Sequence, residues 1–207
     1  MPSNKPRLYV ALFARGGAPT MPELEDKYHW SFIIGPKNEP EGSKGTKFHV
    51  KNFIGSQNGV VGSMWQYEEI EATMAPVNGL LAHVMIAKVN EKHRVQAILR
   101  GIPTRPDVHG WNCVGWVKEA IEALTSDPQA LGSSRADWTT VRDIAMRYIE
   151  EKHAEERFGR NFDSTDIPTW DLTVGKEVMS QGMQHSNIGV LYTVPFRERL
   201  RSVSDRR

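Results

Sequence analysis

The single cysteine of the chain, Cys113, is the residue whose type and position best suit covalent chemistry. It stands in the segment His109-Gly-Trp-Asn-Cys-Val-Gly-Trp116, directly before an apolar stripe at helical spacing. Asn112 is a good N-cap, so the sulfur is expected in the first turn of a helix, where free N–H groups and the helix dipole favour a thiolate. The alternative interpretation is a small apolar side chain that fills the core, the usual place of a free cysteine.

Two histidines are candidate partners for this thiol. A nucleophilic cysteine needs a base and a group that orients the base. His29 lies on the second predicted strand and His49 on the third. Side chains on neighbouring hairpin strands can lie side by side, so His49 is expected to hold the second ring nitrogen of His29. Each histidine alone could equally be a structural residue of the sheet, and His109, four residues before Cys113, is the rival base.

The hydrophobic pattern that must position these residues predicts an α+β fold. In the first half of the chain, apolar residues recur at every second position in several short runs. These runs are joined by segments rich in Gly, Pro, Asn and Ser, which is typical of antiparallel hairpins. The predicted strands are Leu8–Ala14, Tyr28–Ile34, Lys47–Phe53, Trp65–Thr73 and Leu81–Val89. Helical spacing follows at Asn90–Leu99, Asn112–Leu124 and Ala136–Phe158. We therefore expect an antiparallel sheet of about five strands packed against helices, with a C-terminal helical extension.

The chain length predicts one core rather than several domains. We expect a catalytic domain over residues 1–130, and a C-terminal helix with an irregular basic tail over 131–207, packed on the same domain. The tail beyond Arg160 contains only one strand-like run, Ile188–Val194.

Composition disfavours several classes of function. With 26 basic and 25 acidic residues the formal charge is +1, so no basic field favours nucleic acid. One cysteine cannot form an internal disulfide or a thiolate zinc cage, and no metal-ligand spacing or phosphate-binding motif is visible, so neither metal nor cofactor is expected. The sequence shows no signal peptide and no apolar run of membrane-spanning length, which favours a cytoplasmic protein.

Three short boxes carry a resemblance to a known superfamily. They are Tyr28-His-Trp-Ser-Phe-Ile-Ile-Gly35, Gly45-Thr-Lys-Phe-His-Val50 and Trp111-Asn-Cys-Val-Gly-Trp-Val117. In this order they resemble the circularly permuted branch of the papain-like NlpC/P60 superfamily, which includes lecithin:retinol acyltransferase-like enzymes and, more distantly, PPPDE deSUMOylating peptidases. They also resemble a mainly fungal subfamily with the same Tyr-His-Trp and Trp-Asn-Cys boxes. The resemblance covers roughly Leu8–Leu124.

This resemblance implies a permuted papain-like fold with Cys113 as nucleophile, His29 as general base and His49 as its orienter. The implied activity is a cysteine-dependent hydrolase or acyltransferase that acts on an amide, a peptide or a thioester. The acyltransferase-like enzymes typically continue Asn-Cys-Glu-His-Phe-Val, whereas Val-Gly-Trp-Val follows Cys113, so a lipid substrate is not expected. The candidate substrate-binding residues are Tyr28, His109, Trp111 and Asn112. The alternative is a catalytically inactive papain-like fold that binds a peptide or small molecule in the same groove.

Overall fold

Eight strands and three α-helices make up the described part of the protein, with most strands before the helices. The computed structural model describes residues 5–37, 39, 42–57, 59–134, 136–159 and 166–178. Its elements are β1 (Arg7–Ala14), β2 (Tyr28–Gly35), β3 (Lys44–Gln57), β4 (Val60–Thr73), β5 (Leu80–Val89), α1 (Lys92–Gly101), α2 (Cys113–Ser126), β6 (Leu131–Ser134), α3 (Trp138–Ala154), β7 (Thr169–Asp171) and β8 (Lys176–Val178).

All eight strands belong to one mixed sheet. Its order is β4-β3-β2-β1-β5-β7-β8, and β6 pairs with β5 away from this path. The α+β prediction is confirmed, but the sheet is larger than the expected five strands and is not purely antiparallel, because β7 runs parallel to β5. Strands β6, β7 and β8 have only three or four residues each, too few for an alternating pattern to show in the sequence.

The C-terminal part of the chain thus contributes to the sheet. Strands β7 and β8 lie beyond Arg160, in the region expected to be irregular. The strand-like run Ile188–Val194 lies outside the described residues.

The three predicted helices are present, and two begin at side-chain caps. Asn112 Oδ1 accepts a hydrogen bond of 2.8 Å from the N–H of Val114 at the start of α2. Asp137 Oδ1 accepts one of 2.9 Å from the N–H of Thr140 in α3. Within the described ranges, no helix combines the length and the apolar character that crossing a membrane requires.

The two faces of the sheet differ in what covers them. The helices cover one face, which we call the helix face; there the ring of Trp116 lies 5.8 Å from the rings of both Phe32 and Tyr67. The opposite face carries a second, smaller apolar cluster that includes Tyr9, Ala11, Ile33, Met74 and Met85. Successive strand residues point to opposite faces, so His29 shares the opposite face with Ile33 while Trp30 points to the helix face.

Strands β2 and β3 are joined over a short length only. The β2 residues Phe32, Ile33 and Ile34 pair with the β3 residues Phe48, Lys47 and Thr46. In contrast, β3 pairs with β4 along all 14 of its residues. The first half of β2, Tyr28–Ser31, therefore lies beside a gap in the sheet, which we call the β2–β3 gap.

Candidate active site

Two imidazoles and a carboxylate form a chain of hydrogen bonds at the β2–β3 gap. His29 Nε2 lies 2.9 Å from His49 Nδ1. His49 Nε2 in turn lies 3.1 Å from Glu68 Oε2. The β3–β4 register places His49 directly opposite Glu68, so both side chains stand on the same face as His29. The structure thus brings the two predicted histidines together and adds a third member that the sequence analysis missed.

The charge of Glu68 fixes the proton positions along this chain. A hydrogen bond from Lys51 is the main cause that lowers the pKa of Glu68, and Lys51 Nζ lies 2.6 Å from Oε1. An ionised carboxylate only accepts hydrogen bonds, so His49 Nε2 must donate to it. His49 Nδ1 is then an acceptor, and His29 Nε2 donates to it. The remaining nitrogen, His29 Nδ1, is left with a lone pair that can accept a proton.

Both imidazoles are neutral at pH 7. Burial is the largest cause that lowers the pKa of His29 to about 3, and the nearby His49, Lys47 and Arg15 act in the same direction. Burial also lowers the pKa of His49 to about 4, since the opposing effect of Glu68 is smaller. A neutral imidazole with a free lone pair is the form that a general base needs before the reaction.

Cys113 is the first residue of α2 and approaches the same gap from the helix face. It is buried, with 1% of its surface exposed, and it packs in the large core cluster. Its sulfur interacts with the backbone N–H of Trp30, the residue after His29, as well as with the N–H groups of Cys113 and Val114. Trp30 lies outside the paired part of β2 and β3, so the backbone N–H that interacts with the thiol is at the edge of the gap. In the described residues, no hydrogen bond joins the thiol to an imidazole.

The resting state of the thiol differs from the expected thiolate. Burial raises the pKa of Cys113 above its ordinary value. The amide of Trp30, the guanidinium of Arg15 and the amides of the first helical turn oppose this effect without outweighing it. The thiol and both imidazoles are therefore neutral in the resting protein, and a thiolate forms only if a base takes the thiol proton during a reaction.

The loop between β1 and β2 forms a wall beside the start of α2. Asp26 organises it, because its carboxylate accepts hydrogen bonds of 2.8 to 3.1 Å from the N–H and hydroxyl of Thr20 and from the N–H of Met21. Burial opposes the ionisation of Asp26, but these hydrogen bonds outweigh it and lower its pKa. Asn112 Nδ2 donates to Met21 Sδ at 3.5 Å, which ties the loop to the helix that carries Cys113.

The predicted substrate-binding residues lie apart from the His-His-Glu chain or serve in packing and capping. Tyr28 is buried and its ring stacks at 6.5 Å on that of His153. Asn112 is the N-cap of α2 described above. Trp111 is half-buried and donates to Glu119 at 2.9 Å, and its ring packs on Gly115, where a Cβ would lie 3.0 Å from Trp111 Cδ1. His109, the rival base, is exposed and makes no hydrogen bond within the described ranges.

A signal for Glu68 was present in the sequence. The dipeptide Asn58-Gly59 is a preferred two-residue hairpin turn. Counting outward from Gln57 and Val60 by equal numbers of residues brings His49 opposite Glu68, which is the observed register. The register of the hairpin, rather than the type of residue, identifies this carboxylate among its acidic neighbours on β4.

The fold and the site define an α+β protein with a buried cysteine at a helix start and a His-His-Glu hydrogen-bond chain beside a gap in a mixed sheet. The chain belongs to DUF6914, a family of unknown function, whose model matches residues 5–179. No curated protein and no solved structure matches the chain.

Proposed function

We propose that the protein is a cysteine-dependent hydrolase or acyltransferase that acts on an amide, a peptide or a thioester. Cys113 is the nucleophile, His29 the general base, and His49 and Glu68 the groups that orient it. The observation that carries this proposal is the hydrogen-bond chain from Glu68 through His49 to His29, because it leaves Nδ1 of His29 unprotonated. His29 directly precedes Trp30, whose backbone N–H interacts with the thiol.

The first step is transfer of the acyl group to sulfur. The Cys113 sulfur attacks the carbonyl carbon while its proton moves to His29 Nδ1, so the S–C bond forms as the S–H bond breaks. Positive charge on the His29 imidazolium is stabilised through His49 by the carboxylate of Glu68. The backbone N–H of Cys113, at the start of α2, is the donor available to the developing oxyanion, since that of Val114 is bound by the cap Asn112. His29 then gives its proton to the leaving group as the bond between the carbonyl carbon and that group breaks.

The second step regenerates the thiol. His29 Nδ1 takes a proton from water or from an acceptor amine, whose oxygen or nitrogen attacks the thioester carbon. The S–C bond breaks and the proton passes to the sulfur, which restores the neutral pair. The acceptor decides between hydrolysis and acyl transfer.

The proposal is tested with p-nitrophenyl acetate as a general acyl donor. We expect a burst of p-nitrophenolate and an acetyl group on Cys113, identified by mass spectrometry of the intact protein and its peptides. Cys113→Ala should abolish both signals. His29→Ala should lower the acetylation rate by about 100-fold or more, the usual contribution of a general base.

The matched controls are two exposed histidines. His93→Ala removes an exposed imidazole on α1 and should leave the acetylation rate unchanged. His109→Ala should also leave it unchanged; a large loss there, with none in His29→Ala, would replace His29 by the rival base and overturn the proposed chain.

A second candidate function is non-catalytic binding of a peptide or small molecule at the same site. The observation that favours it is the burial of Cys113, which raises the pKa of its thiol. Two results together would support the binding function over the enzymatic one. Cys113 of the folded protein would be acetylated no faster than Cys113 of the urea-unfolded chain, and His29→Ala would not change that rate.

A further inference from the structure

A cavity at the other end of the sheet collects three basic side chains. It has a volume of about 320 Å³, and the cations on its wall are Arg7, Lys37 and Lys88. Arg7 and the relay histidine His29 lie near opposite ends of the β1–β2 pair, since Arg7 faces Gly35 and Phe13 faces His29. At the rise of an antiparallel strand, this separation is about 20 Å, so the cavity is distinct from the proposed active site.

Arg7 is a buried charge that contacts backbone carbonyls. Only 5% of its surface is exposed. Its Nη1 donates to backbone carbonyls, at 2.5 Å to Lys5 and 3.5 Å to Pro6. Among the described residues, no carboxylate lies within ion-pair distance of Arg7. Burying a guanidinium without a counter-charge costs free energy, so such a residue indicates that an anion completes the site.

The sheet register places a second cation directly beside it. Arg7 of β1 stands opposite Lys88 of β5. Like charges at directly opposed positions of an antiparallel pair repel one another. Lys37, two residues beyond the end of β2, adds a third positive charge to the same wall. An anion held between these groups would remove the repulsion.

The two carboxylates of the cavity wall serve other groups. Glu39 accepts a hydrogen bond of 3.0 Å from the hydroxyl of Tyr9, and burial raises its pKa. Asp171 Oδ1 accepts from the N–H and hydroxyl of Thr173 at 2.8 and 2.6 Å, which closes the turn after β7. Neither forms an ion pair with a cation of the cavity in the described part of the chain.

From the buried Arg7, the opposed Lys88 and the nearby Lys37, we infer that this cavity is a binding site for a small organic molecule with a phosphate or carboxylate group. Guanidinium and ammonium groups together match the oxygens of either anion. The apolar wall, which includes Met85 and the Tyr9 ring, would contact the rest of the ligand. The volume suits a ligand of metabolite size.

The test uses pyrophosphate and citrate as probes for the two anion classes, with the full chain. Thermal unfolding is followed by tryptophan fluorescence, against sodium chloride at equal ionic strength. We expect at least one anion to raise the unfolding temperature more than the chloride control does. A rise with pyrophosphate alone assigns a phosphate ligand and a rise with citrate alone a carboxylate; no rise with either overturns the inference.

Lys88→Met provides a second readout with opposite signs. Without ligand it should raise the unfolding temperature, because the repulsion from Arg7 is removed. The variant should bind the anion that stabilises the unmodified protein about 10-fold more weakly, since one charge-assisted contact is lost. Lys118→Met, on the exposed side of α2, is the matched control and should change neither value. A variant at Lys88 that binds the anion as tightly as this control would also overturn the inference.

Discussion

His29 Nε2 and His49 Nδ1 lie 2.9 Å apart, and they join two strands at a point where the backbones of those strands are not paired. A side-chain hydrogen bond therefore connects β2 to β3 here, whereas main-chain hydrogen bonds connect them further along. The same contact determines which nitrogen of His29 is free. One interaction thus both links the unpaired ends of these strands and sets the tautomer of His29.

The carboxylate of Glu68 should be required in its charged form. In Glu68→Gln, Lys51 is the stronger donor and should keep the single amide oxygen, so the amide NH₂ group turns toward His49. His49 and then His29 would adopt the opposite tautomers, and His29 Nδ1 would carry a proton instead of a lone pair. We expect acetylation of Cys113 by p-nitrophenyl acetate to slow by about 10-fold or more.

Two further variants separate this effect from a loss of charge or of stability. Glu71→Gln, on the same strand and paired with Lys44, should keep the full rate. Adding Lys51→Met to Glu68→Gln frees the amide oxygen for His49 and should restore part of the rate. A double variant slower than Glu68→Gln would contradict the tautomer argument.

The Cys113 thiol should remain protonated at neutral pH. Burial raises its pKa, and a thiol ordinarily ionises near pH 8.5, so the thiolate should appear only at more alkaline pH. The measurement is the ultraviolet thiolate absorption of the protein minus that of Cys113→Ser, recorded as pH rises. A thiolate signal already complete at pH 7 would contradict a neutral resting pair.

His83 should make the protein less stable in acid. It is completely buried on β5, its two ring nitrogens have no hydrogen-bond partner among the described residues, and burial lowers its pKa to about 4. Between pH 6.5 and that value the unfolded chain binds a proton at His83 and the folded chain does not, so stability falls as pH falls. Between pH 7 and pH 5, the free energy of unfolding should fall by about 2 kcal/mol less in His83→Leu than in the unmodified protein.

Urea unfolding at the two pH values measures this difference, and His29 and His49 contribute equally to both proteins. At pH 7, His83→Leu should also raise the free energy of unfolding, because two unsatisfied buried nitrogens are replaced by an apolar group. His93→Leu, at an exposed position, should leave the pH dependence unchanged. An unaltered pH dependence in His83→Leu would mean that His83 is solvated in the folded protein.

Gly115 and Trp111 should be energetically coupled. A Cβ at position 115 would lie 3.0 Å from Trp111 Cδ1 and 3.3 Å from Nε1, so Gly115→Ala must displace the ring and its hydrogen bond to Glu119. We expect a loss of about 1 kcal/mol in the free energy of unfolding. In a Trp111→Ala background the same change should instead stabilise the helix by up to about 1 kcal/mol, since alanine is the better helix former. Equal effects in the two backgrounds would show that the residues are independent.

Local patterns were sufficient for most of the architecture. Alternation located β1 to β5, although β3 and β4 extend further toward their turn than the apolar residues indicated. Helical spacing and the caps Asn112 and Asp137 located α2 and α3. The remaining strands, β6 to β8, are held in place by pairing with β5 or with each other, which is a tertiary effect without a local sequence signature.

The pairing of the two histidines was predictable from the sequence, but Glu68 and the electrostatics of the site were missed. The order of the boxes and the alternation of β2 and β3 placed His29 beside His49, and the observed contact agrees with that expectation. The burial of Cys113 depends on how closely α2 packs against Trp30, which no spacing in the sequence reports. The expected thiolate is therefore replaced by a neutral thiol.

The hairpin of β3 and β4 is attached to the rest of the sheet through only three residue pairs. In the described residues, the outer end of this hairpin pairs only within the hairpin, so its amides should exchange with deuterium well before those of the central strands. Since His49 and Glu68 both travel with the hairpin, each opening of the hairpin would leave His29 behind on β2 and dismantle the proton relay. In the proposed mechanism, such an opening would reversibly remove the groups that orient His29 without any change in Cys113.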